Sequence, residues 1–364
     1  MSLTPQEFLS KWKRANPILQ ALIAAALFGA SAPLCKLLLR EVAPIPLAAF
    51  LYLGSGVGAF FLFQFQRFQN NGRDITEAPL SRSDVPWLVG ALLAGGVAAP
   101  ILLLLGLDRT PASTASLLLN FESVATTLIA VSFFKESIDR RIAWAIGLIT
   151  LASILLTWTG GAWGISLGAL GVVGACFLWG LDNNLTRHIS AKNPLVLVGV
   201  KGLGAGSFSL ILSMAFGGPI PALKLILLTM LLGFFSYGLS IQLFILAMRQ
   251  LGAARTSTLF GIAPFVGVVL SMFLVREMPQ TLFWLSLPIM MIGAWFMLTE
   301  DHRHPHLHVA EEHTHKHFHP DEHHDHLCPA EVPLINGCHS HRHAHKTLGH
   351  VHAHTPDLHH FHEH

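Results

Sequence analysis

The sequence predicts an all-α integral membrane protein of ten transmembrane helices, arranged as two inverted five-helix repeats and followed by a disordered tail. Three observations carry this prediction. Hydrophobic residues make up 52% of the chain and charged ones 12%, with mean hydropathy +0.53 even though the last sixty or so residues are strongly polar. At least nine long apolar segments then exclude a soluble globular domain. Second, residues 112–158 hold two apolar runs of membrane-spanning length around Lys135, Glu136, Asp139, Arg140 and Arg141. Such a charged knot cannot enter hydrocarbon, so the stretch reads as a helical hairpin turning at a bilayer surface. Third, the chain repeats itself: at a shift of 141 positions Ala253, Ser257, Arg276 and Glu277 fall on Ala112, Ser116, Lys135 and Glu136.

Taken in order, residues 1–16 form a cytoplasmic N-terminal segment whose Lys11, Lys13 and Arg14 lead into the first span at the interface, with no cleavable signal. Spans are expected at about 18–39, 46–66, 86–107, 112–133, 141–158, 167–186, 195–216, 222–246, 254–275 and 282–299. The first repeat covers 17–159 and the second 160–300. Their first helices align at a shift of 151, with Phe28, Gly29 and Lys36 on Trp179, Gly180 and Arg187. The longer loop at 67–85 accounts for the difference of ten. Five spans per repeat is an odd number, so the second copy sits upside down relative to the first.

Orientation follows from the basic residues. The N-terminal tail and alternate loops hold thirteen Lys and Arg, among them Arg67, Arg73, Arg82, Lys135, Arg140, Arg187 and Lys192, against four in the intervening loops. By the positive-inside rule both termini lie in the cytoplasm of a multi-pass protein of the inner or plasma membrane. Of four cysteines, Cys35 and Cys176 lie in apolar runs and Cys328 and Cys338 in the tail, so no disulfide framework is expected.

Over about 17–299 the chain resembles the drug/metabolite transporter superfamily with two EamA-type repeats. The matching residues are the aromatic-Gly pairs Phe28-Gly29 and Trp179-Gly180, and the small-residue openings Pro111-Ala112-Ser113 and Gly252-Ala253-Ala254. The acids closing the fourth helix of each half, Glu136 and Glu277, and the glycines of the following helices, Gly147 and Gly293, complete the match. The resemblance implies a secondary carrier of small solutes that uses no ATP and is not an enzyme. Two features depart from the family pattern. Pro264 is present in the second copy where Ser123 stands in the first, and an Arg frequent in the second helix of the family is replaced by a region containing Tyr52.

Glu122 falls near the middle of its span, where a charge needs a partner or a wet cavity, and is the first candidate for a substrate or proton site. Asn120, Ser123, Thr126 and Thr127 surround it at helical spacing and extend a polar stripe from Ala112 and Ser116; a structural, protonated Glu is the alternative. Asp182, with Asn183 and Thr186, is the second candidate for a cation or proton, with a helix-capping role open beside it. Lys201 and Lys36 are candidate counter-ions, Lys36 reading rather as a snorkelling side chain. Gln242, Tyr237 and Tyr52 are candidate lining residues, whereas Glu136 and Glu277 read as structural turns. Gly54 with Gly58, and Gly202 with Gly206, have the spacing of close helix packing.

The segment 301–364 carries 22 of the chain's 23 histidines. Its candidate metal ligands are His302, His304, His306, His308, His313, His315, His317, His319, His323, His324, His326, Cys328, Cys338, His339, His341, His343 and His345, with further His from 350 onward. The composition is too polar and Pro-interrupted for a core, which predicts disorder in the absence of a ligand. Neutral imidazoles suit Ni, Co, Zn or Cu, held in exchanging geometries, and no cofactor is required.

Three functions follow as expectations. The first is export of divalent Ni, Co or Zn by proton exchange, with the tail supplying or sensing metal. The second is export of amino acids or other small metabolites, with a tail that only buffers metal. The third is a metal-responsive sensor that transports nothing. The partners expected are the lipid bilayer and a small solute or metal ion, with no nucleic acid and a homodimer left open.

Overall fold

A computed structural model describes residues 16–69, 80–134, 140–158, 165–189, 192–251, 256, 259–277, 279, 281–298 and, as backbone, 303–308, 312–318, 338–344 and 348–353. Ten helical spans appear among these residues in the predicted order. The first is α1 (Pro17–Gly29) with α2 (Ser31–Leu38), and the second is α3 (Pro44–Gln69). The third is α4 (Val85–Ala91) with α5 (Ala99–Asp108), joined by a π turn at Leu92–Ala98. The fourth is α6 (Ala112–Leu118) with α7 (Phe121–Phe134), and the fifth is α8 (Arg140–Thr157). In the second half come α9 (Leu167–Arg187) and α10 (Pro194–Ala215). They are followed by α11 (Leu223–Gly233) and α12 (Ser240–Leu251) around a π turn at Phe234–Leu239, then α13 (Ala263–Leu274) and α14 (Thr281–Leu298).

Seven of these segments are long and apolar enough to cross a bilayer, and α13 and α14 are shorter apolar helices. The sixth span, α9, is 21 residues long, and Asp182, Asn183 and Asn184 dilute its apolar run. Local chemistry fixes several starts. Asn16 accepts from the Ile18 amide at 3.0 Å ahead of Pro17, and Asn193 accepts from the Leu195 amide at 2.9 Å ahead of Pro194. Both are a side-chain cap followed by a proline whose missing N–H costs nothing there.

The packing follows a two-fold pattern. The second span lies on the seventh, the fourth on the ninth and the fifth on the tenth; the sixth packs against the third and fourth just as the first packs against the eighth and ninth. The aromatic-Gly pairs explain the last two contacts. A β-carbon on Gly29 would run into the Ala263 carbonyl, and one on Gly180 would come within 2.8 Å of the Thr126 amide. Each glycine lets the leading helix of one half touch the fourth helix of the other, backbone to backbone. Gly202 meets Gly56 in the same way across the second and seventh spans, so the expected glycine spacing does serve packing.

The symmetry extends to the irregularities. The π turns begin at Leu92 and Phe234, 142 residues apart, close to the repeat shift. The fourth span breaks at Leu119–Asn120 and the ninth at Gly261–Ile262. The continuous helix expected over 112–133 is thus two helices, because two turn residues leave the α ladder open just ahead of Glu122.

The tail is not wholly irregular. Its backbone forms β1 (Arg303–His308), β2 (Glu312–Phe318), β3 (Cys338–Ala344) and β4 (Leu348–Ala353), with β1 antiparallel to β4 and β2 to β3. Composition alone predicts disorder, whereas the His-x-His alternation has the two-residue period of a strand. The N-terminal segment, Glu136, the 159/160 boundary, His302, His319, His323, His324, His326, Cys328 and His345 lie outside the described residues.

Candidate substrate site

The polar side chains predicted to matter meet where the third, fourth, sixth and seventh spans converge. Asp182 is buried, with 7% of its surface exposed, and both its oxygens accept from Lys201 Nζ, at 2.6 and 2.7 Å. Oδ1 also accepts from Thr186 at 2.9 Å. The counter-ion assigned to Lys201 is therefore present, and the alternative of Asp182 as a helix cap is set aside: its partners are side chains, not amides.

Glu122 opens α7 from the other side of the site. Its Oε1 accepts from Asn183 Nδ2 at 2.9 Å, and the same amide reaches Thr126 Oγ1 at 3.2 Å. Glu122 Oε2 has no hydrogen-bond partner among the described residues. Asn184, which sequence reasoning passed over, donates to the carbonyls of Gly180 and Thr126 at 2.8 and 3.1 Å and holds the sixth span against the fourth. Asn120 and Ser123, read as part of the stripe, turn back to their own helix: Asn120 Nδ2 donates to Leu117 O and Ser123 Oγ to Asn120 O. The polar stripe is shorter than its spacing suggests, since the break at Asn120 gives these two side chains freed backbone carbonyls to satisfy. Gln242 lies past the second π turn, half-buried, and forms no hydrogen bond with this network.

A π turn sets the floor. Its Gly95 carbonyl, released from regular helical pairing, accepts from Tyr52 Oη at 2.8 Å and from Trp179 Nε1 at 3.0 Å. Tyr52 stacks on Tyr237 with ring centres 5.8 Å apart, and Phe28 meets Tyr237 edge-on at 5.9 Å. Aromatic rings from both halves thus border the ion pair. The Gly95-Gly96 doublet inside an apolar span was the signal for this turn.

The two ends of the bundle differ. Asn183 is exposed although it shares a helix face with buried Cys176, Trp179 and Gly180, so its exposure is to an opening among the spans and not to lipid. Near that end Trp87 stacks on His188 at 3.9 Å and Lys192 pairs with Asp84 at 3.1 Å. Burial, followed by the nearby Arg187 charge, holds the His188 imidazole below its ordinary range.

The other end is shut. Lys36 Nζ donates to the carbonyls of Leu107, Asp108 and Thr110 at 2.7, 3.1 and 3.1 Å and lies 3.8 Å from Glu277 Oε1. Glu277 Oε2 accepts from the Ala112 amide at 2.9 Å, which caps α6 of the opposite half. The left-handed backbone of Arg276, φ 56°, turns the chain directly ahead of Glu277. Lys36 is therefore a latch and not a snorkelling cation, and Glu277 spans the halves instead of holding its own turn. Just inside, the hydroxyls of Thr110, Ser113 and Ser116 are buried without a partner among the described residues.

Removing the latch is expected to expose this end. In a chain lacking its native cysteines, the thiol of Ser116→Cys should react with a water-soluble reagent at least about tenfold faster when Lys36→Ala is added, since even one of the three charge-assisted bonds is worth about 1.5–3 kcal/mol. An unchanged rate would mean that the latch does not hold the end shut.

Two inverted five-span halves, broken at matching places around a buried ion pair, have the architecture of a membrane carrier. The model of the EamA-like transporter family matches residues 16–158 and again 166–299, and the chain belongs to that family. An uncharacterized transporter of Methanothermobacter thermautotrophicus is 31% identical over 288 residues, covering 75% of this chain and 83% of the relative. A protein of known crystal structure aligns with TM-score 0.55 at 17% identity over 76% of this chain and 94% of its own, a likeness of fold alone. The protein is a multi-pass membrane transporter of the EamA type, which leaves the sensor reading without support.

Proposed function

We propose that this transporter exports a small organic solute carrying an ammonium group, an amino acid or an amine, in exchange for protons, from a cell membrane with both termini in the cytoplasm. The observation that carries the reading is the division of labour between two acids. Both oxygens of Asp182 are occupied by Lys201, whereas Glu122 Oε2, beside Asn183 and Thr126, has no hydrogen-bond partner among the described residues. One carboxylate with such an oxygen, flanked by amide, hydroxyl and aromatic groups, suits an ammonium or a proton in alternation. The positive charge of Lys201 at the same level offers a place for a solute carboxylate to compete for. The open end near Asn183 lies, by the basic residues around it, on the cytoplasmic side, where an exported solute would enter.

A second reading is favoured by the tail: export of Ni, Co or Zn, with 22 histidines to gather or sense the ion. Within the bundle the support is thinner. Among residues whose side chains are described, no group of three or more His, Cys, Asp and Glu comes together. Purified protein in liposomes with an imposed pH gradient separates the two. The solute reading expects proton-coupled movement of labelled amino acids or amines and none of nickel, cobalt or zinc. The reverse result would establish the metal reading.

A further inference from the structure

The register of the tail strands puts its histidines in rungs. In β2 and β3 the pairs are His313 with His343, His315 with His341 and His317 with His339. In β1 and β4 they are His304 with His352 and His306 with His350, while His308 stands opposite Leu348. Alternate residues of a strand share a face, so the six histidines of β2 and β3 occupy one face of their ribbon. The other face is assigned to Glu312, Thr314, Lys316 and Phe318, paired with Ala344, Arg342, Ser340 and Cys338. Cys338, counted as a candidate ligand, falls on the face without histidine.

We propose that these ribbons are metal-binding ladders, in which the juxtaposition of two neighbouring histidine rungs, one such pair of rungs in β2 and β3 and one in β1 and β4, is the unit that takes up one divalent d-block ion. The spacing permits it. Opposed strand positions lie about 4.5–5.5 Å apart, and successive rungs are about 6.6 Å apart along the strand, so two neighbouring rungs gather four histidine positions into one small patch. The face holding these rungs carries no carboxylate, so the ligand set selects Ni, Co, Cu or Zn over Mg, Ca and Mn. A metal bound across a ribbon also fastens its two strands, so loading and strand pairing support each other. The ladder concerns the tail alone and stands whether or not the spans move metal.

The middle rung, His315 with His341, belongs to either pair of neighbouring rungs that β2 and β3 offer, and the test rests on it. Cobalt(II) is titrated into the full-length protein in detergent near neutral pH, and the visible absorption of four-coordinate cobalt is counted per chain. His341→Ala is expected to remove one cobalt equivalent. Interchanging neighbours, Ser340→His with His341→Ser, keeps the composition and should remove the same equivalent. His315→Ala with His341→Ala should cost no more than either change alone. All of this absorption should fade below about pH 6.5 as imidazoles protonate. If the interchanged chain binds like the unaltered one, or if the paired losses simply add, the number of histidines and not their register sets binding, and the ladder is wrong.

Discussion

Lys201→Met is expected to abolish transport and to destabilise the bundle by about 3–5 kcal/mol, because it strands the Asp182 carboxylate without its partner at a site with 7% exposure. The same holds for Asp182→Asn, which leaves the ammonium uncompensated. The two changes together should behave differently. With both charges gone neither desolvation penalty remains, so thermal stability should return most of the way toward that of the unaltered chain. Transport should not return, since the reading above gives the pair a part in receiving solute. Melting in detergent and flux in liposomes, measured for the two single variants and the double, form one cycle. Equal stability in all four chains would show that the pair is not held out of water as the geometry requires.

Glu122→Gln should separate coupling from binding. Glutamine keeps an oxygen that can accept from Asn183 Nδ2, so the site's geometry survives, yet it cannot take up or release a proton. Flux driven by a pH gradient is expected to fall by about a hundredfold or more, the scale on which an essential proton-transferring group acts. Exchange of labelled for unlabelled solute across the same membrane should persist, because it needs no net proton movement. Loss of both would make Glu122 a binding or structural group. Retention of gradient-driven flux would move the proton site elsewhere, with Asp182 next in line.

Much of this protein is legible along the chain. Apolar runs of spanning length, the basic loops, the repeat shifts and the aromatic-Gly pairs determine ten spans in two inverted halves, since hydrocarbon leaves a backbone few alternatives. Glu122, Asp182, Asn183, Thr126 and Lys201 stand out one by one, because an ionisable or amide side chain in a membrane span must be satisfied by something. Which partner each one meets is a different matter. Lys36 looks like a cation near a helix end, and only the approach of the first span to residues 107–110 and to Glu277 makes it a latch. Asn120 and Ser123 belong to the stripe by spacing and leave it because the helix breaks beneath them. The π turn that offers the Gly95 carbonyl to Tyr52 and Trp179 is a choice of hydrogen-bond register, made by contacts from two other spans. Sequence by itself determined which groups must be sheltered and how many times the chain crosses. Tertiary structure decided who shelters whom and which end is closed, because those depend on distances between helices that lie far apart in the chain.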